Sequence, residues 1–255
     1  MRHRLAAALA LAGTLLALPA AACPDAGPQL LLRSCSGGDA LAARLLLLPD
    51  EAPPAEPATE TWVMTGAYTG EDRRADGGPM PVGLFVHGGR IINPNLGRMD
   101  GILLIGPDGR LGLHHRRRVA FAGARIDLTD LGARLRFARA AAQAGLSVAQ
   151  SHLLIVDGAV DVKPRQDAPR FVRRILFTSG GGFGVWQSPL PMTLAEATEA
   201  LAAAHAPEMA LNLDMGSYDY CWRLDGGAAT RCGLVDRADT ARFSNFLVVA
   251  RRPGG

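Results

Sequence analysis

The sequence predicts an α+β fold: a single domain with a mixed, mostly antiparallel β-sheet core and a few packed helices. Three observations lead there. Strand-like apolar runs outnumber helical ones, the two kinds do not alternate regularly, and several apolar runs are joined by short turns rich in glycine.

In chain order, SGGDALAARLLLLPDEAPPAEPATE (residues 36–60) gives an apolar run that ends at Pro49, then an extended Pro/Glu/Ala surface loop. From Thr61 the text is strand-like: TWVMTGAY, PVGLFVHGGRIINP and GILLIGPDGRLGLHH. HGGR and GPDGR are turn chemistry between apolar runs, so both segments read as hairpins. Residues 129–145, TDLGARLRFARAAAQAG, carry Leu131, Leu135, Ala138 and Ala142 at helical spacing, with Thr129 or Asp130 as the cap. QSHLLIVDG returns to a strand. FVRRILF and FGVWQS flank TSGGGFG, which is a hairpin turn rather than a phosphate cradle, because a strand and not a helix follows it. In MTLAEATEALAAAHA, Thr193 and Glu196 form a capping box and Leu194, Ala197, Leu201 and Ala204 a buried stripe. ALNLDMGSYDYC follows, and FSNFLVVARR is the last strand.

The start of the chain has Arg2 and Arg4, an uncharged stretch from Leu5 to Leu18, and the small residues Ala20, Ala21 and Ala22. This is the pattern of a secretory signal peptide over residues 1–22; the apolar stretch is shorter than the roughly 20 residues a bilayer requires. Residues 23–59 then form an N-terminal strand and Pro-rich loop, and residues 60–251 the main domain. The expected location is periplasmic or secreted. Removing residues 1–22 takes away two arginines and no acids, so the formal charge falls from +3 to +1. That balance calls for neither nucleic acid nor an anionic membrane, and no later apolar run spans a bilayer. Four cysteines fall into two local couples, Cys23 with Cys35 and Cys221 with Cys232, which in an exported chain read as two disulfides. Zinc is disfavoured because there is no CxxC and no histidine at ligand spacing from a cysteine. A lipid anchor on Cys23 is the weaker rival: Ala20 stands where a lipobox prefers Leu, and lipidation leaves Cys35 odd. Neither a metal nor a cofactor is expected.

Two places hold candidate chemistry. Residues two apart on a strand share a face, so Leu211 and Leu213 point to the core while Asn212 and Asp214 point together to the other side. Gly216 and Ser217 then turn the chain beside that carboxylate. An amide and a carboxylate so placed can orient a hydroxyl and move a proton, although Asp then Gly at a strand end is also an ordinary turn. Arg173 and Arg174 lie inside an apolar strand, and neighbours face opposite ways. At least one guanidinium therefore needs an anion, either a structural carboxylate such as Asp214 or a substrate phosphate. HHRRR (residues 114–118) reads as a solvated face.

Taken in order, TGAY (65–68), PVGLFVHGGRIINP (81–94), QSHL (150–153), RILFT (174–178), NLDMGSY (212–218) and NFLVV (245–249) resemble the motifs of the phosphodiester glycosidase family across roughly residues 60–251. The resemblance implies a hydrolase that cleaves the glycosidic bond of a sugar-1-phosphodiester in an envelope or extracellular glycan. It makes Arg174 the phosphate-facing arginine and Asp214 the catalytic carboxylate. Thr65, Gly66, Tyr68, Gln150, Ser151, Asn212, Gly216 and Ser217 then line the site. The sequence departs from the family pattern at Thr65 (Asn in the family), Ala67 (Gly), His152 and Leu153 (Gly-Pro), Thr178 (Gly) and Met215 (Gly). A catalytically degenerate glycan- or phosphate-binding protein on the same fold is the alternative those departures suggest.

Overall fold

The computed structural model describes residues 30–33 and 41–252; the expected signal peptide and the Cys23–Cys35 couple lie outside the described residues. The first strands are β1 (Leu30–Arg33), β2 (Leu41–Leu47), β3 (Thr61–Thr65), β4 (Thr69–Arg73), β5 (Pro79–Pro81), β6 (Phe85–His87) and β7 (Arg90–Asn93). Next come β8 (Gly101–Ile105), β9 (Leu111–His115), β10 (Val119–Phe121), β11 (Ala124–Ile126), helix α1 (Leu131–Gln143), β12 (Ser147–Ser151), β13 (Leu153–Val156) and β14 (Ala159–Val160). The last are β15 (Arg174–Ser179), β16 (Gly182–Gln187), helix α2 (Leu194–His205), β17 (Met209–Asn212), β18 (Cys221–Asp225), β19 (Ala228–Arg231) and β20 (Asn245–Arg251).

These strands form three main sheets, ordered β1-β16-β15-β17-β13-β14, β7-β6-β12-β8-β9 and β19-β18-β3-β20-β2, with the hairpins β4-β5 and β10-β11 beside them. Ladders among the described residues run antiparallel. The sheet-dominated α+β class is the one the sequence predicts.

The period of two decides what each sheet covers. Leu103 and Ile105 of β8, Leu176 of β15, and Leu247 and Val249 of β20 meet in one central cluster between the sheets. Their alternating neighbours face outward. Ile102 and Leu104 pack under α1 with Phe137, Ala138 and Ala141. Ile175 and Phe177 pack under α2 with Ala197 and Leu201. Phe246 and Val248 pack against Tyr220 and Phe243. The central strands of all three sheets are thus buried on two faces, which is why β3, β8 and β20 read as near-continuous apolar runs.

The hairpin turns behave as their glycines require: Gly88 and Gly89 between β6 and β7, and Gly180 and Gly181 between β15 and β16, all have positive φ. In α2 the Thr193–Glu196 capping box is present, and the Asp130 side chain caps α1 by accepting from Ala133 N. The stripe of α1 is rotated from the expected one. Phe137, Ala138 and Ala141 are buried while Leu131 is 58% exposed, because the aromatic ring takes the space over β6 and β12. In α2, Ala195 and Thr198 join Ala197 and Leu201 in the buried stripe, and Ala204 is exposed.

Cys221 and Cys232 are bridged, closing a loop around the β18–β19 hairpin. A loop of that length contributes about 3 kcal/mol through the unfolded chain's lost entropy. Replacing both cysteines by serine (Cys221→Ser with Cys232→Ser) is expected to lower the unfolding free energy by about that amount, read from urea denaturation; an unchanged midpoint would show that the bridge adds nothing.

Candidate functional site

Strand β17 ends at Asn212, where the chain leaves the sheet. Leu213 N donates to Arg174 O (3.1 Å) and Asp214 N to Gly66 O (3.0 Å), so the carboxylate hangs on two backbone anchors from different sheets. Across from it runs the loop Ala67–Thr69. Asn245 clamps that loop: its Oδ1 accepts from Ala67 N (2.8 Å) and its Nδ2 donates to Ala67 O (2.9 Å). Gly66 is obligatory in this arrangement, since a Cβ there would lie 2.3 Å from Asn245 Oδ1. The clamp presents Thr69 N to Asp214 Oδ2 at 3.2 Å.

Asp214 is 5% exposed and forms no ion pair among the described residues. Burial pushes its carboxyl up to about 7, against the opposing backbone N–H donors of Thr69 and Met215. Asn212 donates through Nδ2 to the Tyr68 hydroxyl, and its Oδ1 is buried with no partner. Burial, and then the charge of Asp214, push Tyr68 up to about 12. Its hydroxyl therefore keeps its proton at neutral pH.

Arg173 completes the cluster. Its Nε donates to Met192 O (3.0 Å) and its Nη2 to Pro169 O (2.6 Å), and the guanidinium lies 5.1 Å from the Phe171 ring centroid. No carboxylate pairs with it among the described residues, and it is close enough to Tyr68 for each to act electrostatically on the other. The His152 ring stands edge-on to Tyr68 at 5.9 Å, and burial lowers its pKa. Gly216 has φ +77°, and a Cβ there would sit in van der Waals contact with the Phe171 ring at 3.7 Å. Ser217 is exposed at the same turn.

Several expected site residues take other roles. Arg174, expected to face a phosphate, faces Asp219. It shares a strand face with Leu176 and so points into the core, fully buried, with Nη2 3.0 Å from Asp219 Oδ1. Gln187 Oε1 accepts from its Nε (3.1 Å) and Nη2 (2.6 Å), and the carbonyls of Tyr220 and Cys232 accept at 3.3 Å each. Its anion is Asp219 rather than Asp214. Met215 turns inward as well, with Sδ 3.7 Å from Arg174 Nη1. Gln150 is consumed by backbone, accepting from Leu84 N and Gly97 N and donating to Met99 O. Ser151 Oγ donates to Asn212 O, and Thr65 Oγ1 to Tyr218 O. These five side chains are buried and engaged within the protein. Asn212, Asp214, Tyr68 and Gly216 do come together. The sequence reading missed Asn245, Thr69 and Phe171, whose roles depend on contacts more than a hundred residues away or on a loop. Among the described residues no group of three or more His, Cys, Asp or Glu could hold a metal ion, and no helix is long and apolar enough to cross a membrane.

No family model matches the chain and no curated protein matches it. Among solved structures it is similar to the zebrafish N-acetylglucosamine-1-phosphodiester alpha-N-acetylglucosaminidase catalytic domain auto-inhibited by its pro-peptide. The identity is 10%, over 87% of this chain and 88% of that one, with a TM-score of 0.46. It is also similar to a hypothetical protein from Synechocystis, at 14% identity over 83% of this chain and 57% of that one, with a TM-score of 0.41. These are distant likenesses, and the chemistry of the site is carried by its own residues.

Two consequences for stability follow from the burial of charge. An unfolded aspartate releases its proton near 3.8, whereas folded Asp214 holds it to about 7. Between those values the unfolded chain binds fewer protons, so stability falls as pH rises, by up to about 4 kcal/mol in all. Asp214→Asn is therefore expected to gain stability relative to wild type as pH increases from 4 to 8; a pH-independent difference would contradict the raised pKa. Asp219→Ala leaves Arg174 buried and unpaired, and is expected to destabilise by roughly 3–5 kcal/mol, read as a lower urea midpoint.

Proposed function

We propose that this chain is a hydrolase of the glycosidase type that cleaves the glycosidic bond of a sugar-1-phosphodiester in an envelope or extracellular glycan. The observation that carries the reading is the Asp214 carboxyl: buried, raised to about 7, and, among the described residues, without a cation and beside an Asn212 carbonyl oxygen that lacks a partner. A carboxyl with that pKa is poised to give or take a proton at neutral pH. In its ionised form it activates water or stabilises an oxocarbenium-like sugar.

Asn212 Oδ1 is a buried acceptor without a partner among the described residues, one that a sugar hydroxyl satisfies once its surroundings shift to admit it, while the Tyr68 hydroxyl fixes the other end of the amide. Arg173 takes the role first expected of Arg174. Its charge is held by carbonyls and an aromatic ring rather than by a carboxylate, so it can stabilise negative charge building on a departing phosphate. Phosphate leaves without being protonated, which makes one carboxylate sufficient. Export to the periplasm or outside the cell belongs to the same reading and is compatible with the Cys221–Cys232 bridge.

The second reading is a catalytically degenerate protein that binds a glycan or phosphate. It is favoured by the withdrawal of Arg174 into the core.

The full chain is expected to release sugar from an aryl or nucleotide sugar-1-phosphodiester, with kcat/KM rising with pH through about 7 as Asp214 ionises. Asp214→Asn is expected to reduce the rate by at least about 100-fold, and Arg173→Ala to lower kcat/KM for the phosphodiester more than for a neutral aryl glycoside. Wild type and Asp214→Asn that are equally inert while both bind the glycan would leave the binding reading.

A further inference from the structure

A second concave site lies away from Asp214. Leu113, His114 and His115 of β9, Ala120 and Arg125 of the β10–β11 hairpin, Arg118 between them, Asp157 of the β13–β14 turn and Met209 of β17 line a cavity of about 200 Å³. Met209 and Asn212 sit at opposite ends of β17, and three residue steps of extended strand separate them by roughly 10 Å.

The cavity holds more donors than the protein can satisfy. Arg125's guanidinium and the His114 ring make no hydrogen bond or ion pair among the described residues. His115 Nδ1 accepts from Arg117 N (3.2 Å), which puts the ring's donor at Nε2. Arg118 is the one lining cation with an acid, Asp157, at 2.6 Å. That pair also fixes the Asp157 turn, whose N–H points to Met209 Sδ at 3.5 Å. Two arginines line the cavity with one carboxylate, and Asp127 acts electrostatically on His115 from beside it.

We propose that this cavity is a binding site for a small molecule carrying a phosphate-type oxyanion, held by Arg118 and Arg125 with the His114 and His115 rings as further donors. A tetrahedral oxyanion offers several acceptor oxygens to donors converging from different sides, which is the arrangement here. HHRRR is then partly a ligand surface rather than wholly a solvated face. The site is independent of the hydrolase reading and shares no residue with it.

Inorganic phosphate is the probe, titrated into the full chain at fixed pH and low salt while the ring resonances of His114 and His115 are followed by NMR. These resonances are expected to shift saturably. Arg125→Ala is expected to weaken the affinity they report by roughly tenfold. Asp157→Asn tolerates the positive φ at that position and is expected to tighten it several-fold by removing the competing charge. Arg173→Ala is expected to leave it unchanged. Resonances that do not move, an affinity indifferent to Arg125→Ala, or one that changes with Arg173→Ala would each overturn the proposal.

Discussion

The buried guanidinium of Arg174 is the constraint around which this molecule is arranged. A charge with no access to water must be surrounded by acceptors, and here they come from separate places: Gln187 across the β15–β16 ladder, Asp219, and the carbonyls of Tyr220 and Cys232. These contacts join the sheet containing β15 to the segment 215–232, which continues through β18 into the sheet of β3 and β20. The Cys221–Cys232 bridge holds two of those carbonyls in register. Removing any one acceptor leaves charge or dipole stranded in the core, so the network stands or falls together.

That arrangement determines what happens to the next residues. Because Met215 is drawn inward onto Arg174, the chain on either side of it is turned, and Asp214 is directed toward Tyr68 and the Ala67–Thr69 loop. Because Arg174 is already matched by Asp219, it has no charge to lend to Asp214. The result is a carboxyl that burial discourages from ionising and that no cation among the described residues rescues. A fold that kept such a group for stability alone would gain by replacing it with an apolar residue, which is the physical reason for reading it as functional.

The legible parts of this structure are those set by local chemistry. Glycine pairs announced the β6–β7 and β15–β16 hairpins, and Thr193 with Glu196 announced the start of α2. The alternation in LNLD announced that Asn212 and Asp214 share a face, because adjoining Leu211 and Leu213 are both core. The choice between Arg173 and Arg174 was not legible. Ile175, Leu176 and Phe177 are all buried, so a strand covered on both faces carries no alternation to say which arginine points where. Gln150 misled for a related reason: a polar residue in a family-like motif looks ligand-facing, but its partners, the backbone of Leu84, Gly97 and Met99, are fixed by tertiary packing.

The two arginines then differ in what their surroundings leave over. Ion-paired Arg174 is electrically complete. Arg173 is hydrogen-bonded to carbonyls and stacked on Phe171, contacts that hold its position but cancel little of its charge. Asp214, once ionised, is a negative charge without a counter-ion among the described residues, and no ion pair joins it to Arg173 across the Tyr68–Asn212 hydrogen bond. Arg173 calls for an anion, ionised Asp214 for a group that is electron-poor or can donate a proton, and Asn212 Oδ1 for a donor. A polar body with hydroxyls, joined at its electrophilic carbon to a phosphate, answers all three needs in one ligand. On the hydrolase reading, that is why a sugar-1-phosphodiester suits this site better than a neutral glycoside, which would leave Arg173 uncompensated, or a bare phosphate, which would leave Asp214 and Asn212 unengaged.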